Sequence, residues 1–470
     1  LFIFNFFSIS LDSYTFYENK LLICCLSETV VSSDNHYVEV RVVLSGFNVY
    51  MSGVITMKDD LPFSSEEQRL IDDLVSGKVS FYRAGTEVDV RAAVRIRRAA
   101  MEKLSGTELT DIGSFSIDEI AASKSNIENM IGAVQIPVGI AGPIAISGEF
   151  AAGSFYLPLA TTEGALVASV NRGCSAITSC GGTITRIFSD YMTRAPVYSF
   201  DSVIRAKEFV DWLESPGVFA RLQEKASTTT KFGKLTDVEH YVTGNNVYLR
   251  FCFDTKDAMG MNMVTIATQA IVDLIGDEFG SYPVSLSGNM CTDKKPAAIN
   301  AIRGRGKTVV AEAELNAETI EKKLKTTPEA MAEVNYRKNL LGSMRAVSLG
   351  FNAQAANVIA AMFIACGQDP AHVVEGSNAI TTMEVTKYGS LYCSVTLPSL
   401  QLGTVGGGAK IATQKECLGI LGVAGAGESP GHNAKKLAEI IASAVLAGEI
   451  SLVGAQAAGH LARAHAKLGR

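Results

Sequence analysis

The chain lacks most of the short signatures that place a protein in a common class. Charge is sparse and nearly balanced. Charged residues make up 19% of the 470 positions, the formal net charge is −6 and the pI is near 5.7. That leaves no basic footprint for nucleic acid. Nine cysteines are spread over the chain with no C-x-x-C pair and no Cys/His cluster at zinc spacing. A disulfide framework and a structural metal are therefore excluded, and the cysteines read as reduced thiols. No repeat of 20–50 residues and no long low-complexity linker is present. No G-x-G-x-x-G follows a strand: GAGESPG at 425–431 fails the spacing. RGRGKT at 303–308 copies the end of a P-loop, but Ala301 stands where its first glycine belongs, so a nucleotide-triphosphate binder is disfavoured.

What is present is apolar and glycine-rich. Hydrophobic residues reach 47% and glycines number 42, which excludes a disordered chain. At ~100–200 residues per domain the length suggests two to four domains. Three uncharged stretches, 346–368, 389–409 and 133–148, test for membrane spans. The first holds Asn352, Gln354 and Asn357, and the others hold Pro398, or Pro137 and Pro143. Amides in hydrocarbon are costly, so all three read as buried core rather than integral membrane segments. The opening LFIFNFFSISL has no basic n-region and is followed by acidic residues, unlike a signal or transit peptide. Residues 1–59 stay unassigned, with Met51 a possible start. The ending Leu468-Gly469-Arg470 is no peroxisomal tripeptide. A soluble enzyme is expected, cytoplasmic or, with an upstream segment, in an organelle matrix.

Residues 64–127 read as charged helices, opening at Ser64-Ser65-Glu66-Glu67. Residues 196–287 have a rhythm of their own. PVYSF predicts a strand, VIRAKEFVDWLE a helix, and KLTDVEHYVTGNNVYLRFCFD two strands around Gly244-Asn245-Asn246. MNMVTIATQAIVDLIGDEF predicts a helix and YPVSLS a closing strand. That β-α-β-β-α-β order is the split-βαβ, ferredoxin-like motif, set inside a larger α/β domain. The stretch 432–468 reads as one long helix, whose Gly448, Gly454 and Gly459 invite close helix packing.

Four segments set ionisable groups among small or apolar residues. In LATTEGALVAS, Glu163 is a helix-start acid or a proton donor. In SGNMCTDKKPAAIN, Pro296 suits a first helical turn, which would put Lys294 and Lys295 at a helix N-terminus. The dipole disfavours cations there, a conflict that points to an anionic ligand or a developing oxyanion; a solvated pair is the plain reading. In FIACGQDPAHVV, Asp369 is a turn former or a functional acid. In AAGHLARAHAKLGR, His460 and His465 stand ~140° apart on a helix and cannot share one metal. KDAMGMNM opens a helix whose exposed amides suit phosphate or ribose.

In family order these segments resemble class I hydroxymethylglutaryl-coenzyme A (HMG-CoA) reductases: ENMIGAVQIPVGIAGP, TTEGALVASVNRG, DYMTRAP, DAMGMNM, GNMCTDKKPAAIN, GQDPAH, GTVGGG and AGEISLVGAQAAGHLARAH, across roughly 65–470. The resemblance implies a helical N-terminal domain over 60–127 and a large substrate domain of 128–195 plus 286–470. An inserted NADP-binding domain would cover 196–285. It implies reduction of HMG-CoA to mevalonate and coenzyme A with two NADPH, for isoprenoid and sterol synthesis. The implied catalytic residues are Glu163, Lys294, Asp369 and His465, with Asp369 between Glu163 and Lys294. Arg194, Ser287, Asp293 and Lys295 would bind substrate, with Lys338 and Asn357 in the same pocket. Asp257, Met259, Gly260, Met261, Asn262, Gly406, Gly407 and Arg470 would contact the cofactor, and no metal is implied. The active site would form between subunits of a homodimer or homotetramer.

Some positions depart from the family pattern. Gly217-Val218-Phe219 replaces a usual Ser-Arg-Phe, which leaves NADH open as cofactor. Gln354 replaces a usual His, and 342–354 differs from the usual small-residue run. Two other readings stay open: NAD-linked oxidation of mevalonate, as in class II enzymes, and a non-catalytic assembly protein keeping the fold.

Overall fold

The structure, a computed structural model, describes residues 62–459, preceded only by the backbone of five short strands between residues 15 and 56. It falls into two compact units, one of Leu1–Ser114 with Glu128–Gly132, the other of Phe115–Ile127 with Ala133–Arg470.

The first unit is helical where the sequence reads as helix. Ser64 and Glu67 form a reciprocal capping box that starts α1 (Ser65–Val75), and Asp89 caps α3 (Val90–Ser105) after the short α2 (Phe81–Glu87). Leu70, Ile71, Leu74, Ala84, Ile96 and Ala100 recur at helical spacing and close a small core.

The second unit is mixed helix and sheet, the class expected. Among the described residues its nine strands are β1 (Val138–Ser147), β2 (Ala152–Ala160), β3 (Thr183–Arg194), β4 (Val197–Ser199), β5 (Lys234–Thr243), β6 (Asn246–Asp254), β7 (Gly306–Leu315), β8 (Ile380–Val385) and β9 (Leu391–Leu400). The main path runs β5-β6-β3-β7-β9-β8; β1 joins β2 and β3, and β4 joins β6. Twelve-residue β3 serves two cores. One half pairs with β7, while Met192, Thr193 and Arg194 pair with β6 of the smaller subdomain.

That subdomain follows the sequence reading closely. It holds β4, α5 (Val203–Glu214), α6 (Val218–Ser227), the β5–β6 hairpin and α7 (Met261–Phe279) around a separate aromatic core. Two details differ. Helix α6 was not anticipated. The predicted closing strand, YPVSLS, is reduced to one bridge, Val197 to Ser285.

The large core is organised by α12 (His432–Ala457), which follows the short α10 (Val373–Gly376) and α11 (Ala412–Ile420), crosses β3, β7 and β9 and packs on α4 (Leu166–Ser179) and α9 (Ala355–Ala365). It is long and apolar enough to cross a membrane, but 94% of its most apolar window is buried. It is a core helix, and its close packing is within the chain. At Gly173 a Cβ would stand 1.9 Å from the Ala447 carbonyl oxygen. Backbone faces backbone there, so G173A forces α4 and α12 apart. A cost of about 3 kcal/mol is expected, at the upper end for overpacking, read as a lowered melting temperature; an unchanged one would show that the helices separate freely. Buried Glu439 on α12 accepts from the N–H groups of Glu149, Phe150 and Ala151, and so ties down the β1–β2 turn.

Of the three uncharged stretches, 389–409 and the part of 346–368 that forms α9 are mostly buried as expected, while 133–140 and 346–352 are not. Ile140 and Val138 of β1 are about half exposed and Val134 is 83% exposed, while Val347 in 346–352 is 85% exposed.

Candidate active site

Lys294 and Asp369 meet. The ammonium lies 2.8 Å from Asp369 Oδ2. The contact raises the Lys294 pKa, chiefly through the hydrogen bond to Asp369. Burial pushes Asp369 up, but Lys294 and the Ala371 N–H outweigh it and hold the carboxyl below its ordinary range. Asp369 also caps the Pro370–His372 turn through the Ala371 N–H. The same carboxylate therefore both forms the turn and holds the lysine.

The lysine loop is not the helix start its proline suggests. The helix α8 (Ala298–Arg303) begins after Ala297, so Pro296 lies outside it. Asn289, Thr292 and Lys294 take left-handed backbone, with φ of 64°, 53° and 58°. That conformation costs a non-glycine residue about 1–2 kcal/mol, so the loop must be held from outside. The Lys294 N–H donates to Glu375 Oε1 at 2.5 Å. Glu375 also accepts from Arg305, Asn300 and Gln401. Arg305 reaches on to Asp293 Oδ1 at 2.9 Å, where His372 Nε2 also sits at 3.2 Å. His372 first, and Arg305 with it, hold Asp293 far below the carboxylate range against the effect of burial. Asp293, His372 and Glu375 carry ligand-type atoms within 4.8 Å of one another, but Arg305 already supplies the cation between the two carboxylates. Glu375, Arg305 and His372 escaped the sequence reading. Arg305 lies in the P-loop decoy, and Glu375 is a lone acid in the apolar run VVEGSN.

Other predicted residues gather at this end. Arg194, at the end of β3, donates to Thr265 on α7. Ser287 Oγ is 3.3 Å from Cys291 Sγ, and the exposed Lys295 bonds the Asp293 carbonyl. The glycine-rich loops interlock beside them. Asp257 O accepts from the Thr404 N–H, and Gly403 N–H donates to Gln368. A Cβ on Gly367 would lie 2.4 Å from Gly408 O. Gly406 and Gly407 have positive φ and open space where a Cβ would be. Met259, Gly260 and Met261 are half-buried and Asn262 is exposed at the start of α7, which has no side-chain cap. Asp257 differs from expectation. It is buried, and its carboxylate accepts from the N–H groups of Gly427, Gly431 and Ala434, which caps α12. Its carbonyl, rather than its carboxylate, faces the glycine loop.

Glu163 is elsewhere. It is exposed beside the left-handed Ala165 that starts α4, and Asn357 Nδ2 lies 3.5 Å from its Oε1. Ile140, Val167, Ala168 and Asn171 join it around a cleft of about 460 Å³. Asn357 sits in the first turn of α9, and Asp369 follows the end of that helix. Eight residue rises, about 12 Å, separate Asn357 from Ala365, so Glu163 and the Lys294–Asp369 pair stand at opposite ends of α9. Lys338 belongs to the Glu163 end. It is half-buried, with its pKa lowered by burial, near Glu449, which accepts from the Ala353 and Gln354 N–H groups. Gln354 itself donates to Gly448 O. Within one chain, Glu163, Asn357 and Lys338 thus gather at one end of α9, and Lys294, Asp369, Arg194 and Lys295 at the other. His465 and Arg470, like His460, lie outside the described residues.

An ammonium fixed by a carboxylate is able to stabilise an oxyanion developing at a carbonyl. The comparisons with known proteins agree with that chemistry. A family profile described as hydroxymethylglutaryl-coenzyme A reductase matches residues 93–470. HMG-CoA reductases of Pyrococcus abyssi and Haloferax volcanii are 56% and 53% identical, each over 85% of this chain and 99% and 98% of theirs. HMG-CoA reductase 1 of Arabidopsis thaliana is 45% identical over 86% of this chain and 69% of its own. The NADPH-bound class II enzyme of Streptococcus pneumoniae has the same fold, with TM-score 0.57 over 84% of this chain and 97% of its own at 17% identity. The chain belongs to the hydroxymethylglutaryl-coenzyme A reductase family, on the class I side with its archaeal relatives.

Proposed function

We propose that this chain reduces HMG-CoA to mevalonate and free coenzyme A, for isoprenoid synthesis, in a site built by two subunits. The observation that carries the reading is the Lys294–Asp369 pair. When bound, a nicotinamide cofactor supplies hydride. Residues 257–262 and the 403–408 loop would hold it, and 196–285 would form its domain. Lys294, kept cationic by Asp369, stabilises the oxyanion formed at the thioester carbon. The resulting hemithioacetal then expels coenzyme A thiolate. A thiol pKa near 8.5 lies above an imidazolium's ~6.5, so His465 is suited to protonate that sulfur. Reduction of the aldehyde gives an alkoxide that needs a proton, and Glu163 is the donor assigned to it, with Asn357 at its carboxylate. Arg194 and Lys295 neutralise the substrate carboxylate, while Lys338 serves the Glu163 half.

The two half-sites call for a twofold partner. Exposed apolar side chains rim both: Val134, Val138 and Ile140 near Glu163, and Val284 and Ile302 near the lysine loop. A second copy of this chain would cover them and bring Glu163 of one subunit to Lys294 of the other. At least a dimer is expected; a tetramer would pair two such dimers.

Absorbance at 340 nm with HMG-CoA, together with thiol titration, tests the reaction. The expected result is two NADPH oxidised per coenzyme A released. No turnover from a folded oligomer would overturn the reading in favour of an assembly protein. One observation favours a second cofactor. Val218 is 2% exposed in the subdomain core and offers no cation to a 2′-phosphate. Comparable turnover with NADH is therefore expected.

A further inference from the structure

The segment after α9 touches the lysine loop three times. Asp369 holds the Lys294 ammonium, His372 contacts Asp293, and Glu375 binds the Lys294 N–H. These residues are spaced by three through the Pro370–His372 3₁₀ turn and the following Val373–Gly376 turn. That spacing puts all three on one face. Glu375 is fully buried, and each of its donors comes from a different place: the lysine loop, α8 through Asn300, the start of β7 through Arg305, and the end of β9 through Gln401.

We propose that Glu375 is a positioning residue for the reduction: its carboxylate fixes the left-handed backbone of Lys294 and so sets where the ammonium stands. Lys294 is then held at both ends, by Asp369 at Nζ and by Glu375 at the backbone nitrogen. Losing the second hold lets the loop relax, and the ammonium leaves Asp369. A displacement of ~1 Å at a reacting group costs up to about a hundredfold in rate. The inference rests on the reductase reading for its kinetic consequence but not for its geometry.

The full-length chain is compared with E375A and with E375Q, which keeps volume and one acceptor. E375A is expected to lower kcat ten- to a hundredfold with KM for HMG-CoA within about twofold. The alkaline limb of kcat should move to lower pH, because an ammonium parted from Asp369 deprotonates earlier. E375Q should fall between E375A and wild type. Should E375A fail to fold, E375Q carries the same comparison. A purely structural role would lower activity only in step with the folded fraction and leave the pH profile in place, which would overturn the proposal. Competitive acylation of Lys294, read by mass spectrometry against the exposed Lys295, needs no turnover. Labelling of Lys294 at a fixed alkaline pH should rise severalfold in E375A and E375Q, as in D369N. Unchanged labelling overturns the proposal. Absent turnover in the wild type, with labelling that still responds, would overturn the reductase reading alone.

Discussion

Preparations of E163Q and D369N, each strongly impaired alone, regain about one quarter of wild-type activity when their subunits are mixed one to one and allowed to exchange. The quarter follows from the two ends of α9. If a working site takes Glu163 from one chain and the Lys294–Asp369 pair from its twofold partner, random mixing makes both contributions intact in about one site of four, for dimers and tetramers alike. The control is as informative. K294A mixed with D369N should stay inactive, because those two residues belong to one half-site, 2.8 Å apart. Recovery measured as NADPH oxidation in the first mixture and not in the second supports the two-chain site. No recovery in the first would return Glu163 to its own chain's lysine and demand a large closure around α9.

The second expected result is the loss in K294A itself. Removing one preorganised oxyanion donor costs about 10²–10³-fold in kcat, and Lys294 is asked to serve both reduction steps. Its raised pKa decides the pH dependence. The ammonium is the active form, so activity is retained below its pKa and lost as the pH rises through it. D369N removes the main cause of the elevation, so the alkaline limb should move to lower pH while K294A abolishes it. Both are read from kcat against pH with HMG-CoA saturating. A K294A enzyme within tenfold of wild type would take the lysine out of the chemistry.

The sequence made local structure legible where local rules decide it. Helices α5 and α7 were read to the residue, because Ser202 caps one and Gly260 and Gly280 bracket the other. The β5–β6 hairpin was legible from Gly244-Asn245 between apolar strands. YPVSLS was misjudged because its strand length depends on what β4 offers it, and β4 is three residues long. Glu163, Lys294 and Asp369 are legible singly as ionisable groups among small or apolar residues, but only the resemblance joins them into one site. Lys294 and Asp369 are far apart in sequence, and no spacing rule joins them. The separation of Glu163 from them was not legible at all, since motif order carries no distance. Glu375 could have been found from the three-residue spacing of Asp369, His372 and Glu375 in an otherwise uncharged run.

Helix α12 also sets a timetable. It forms the middle of the large core, yet β3, β7, β9, α4 and α9, which it packs against, all precede it in the chain. During synthesis these elements emerge with their apolar faces uncovered, and they cannot close until residues 432–457 have left the ribosome. The helical unit and the subdomain, with cores of their own, face no such wait. The nascent large domain is therefore the stage at which this protein is most exposed to aggregation and most dependent on chaperones.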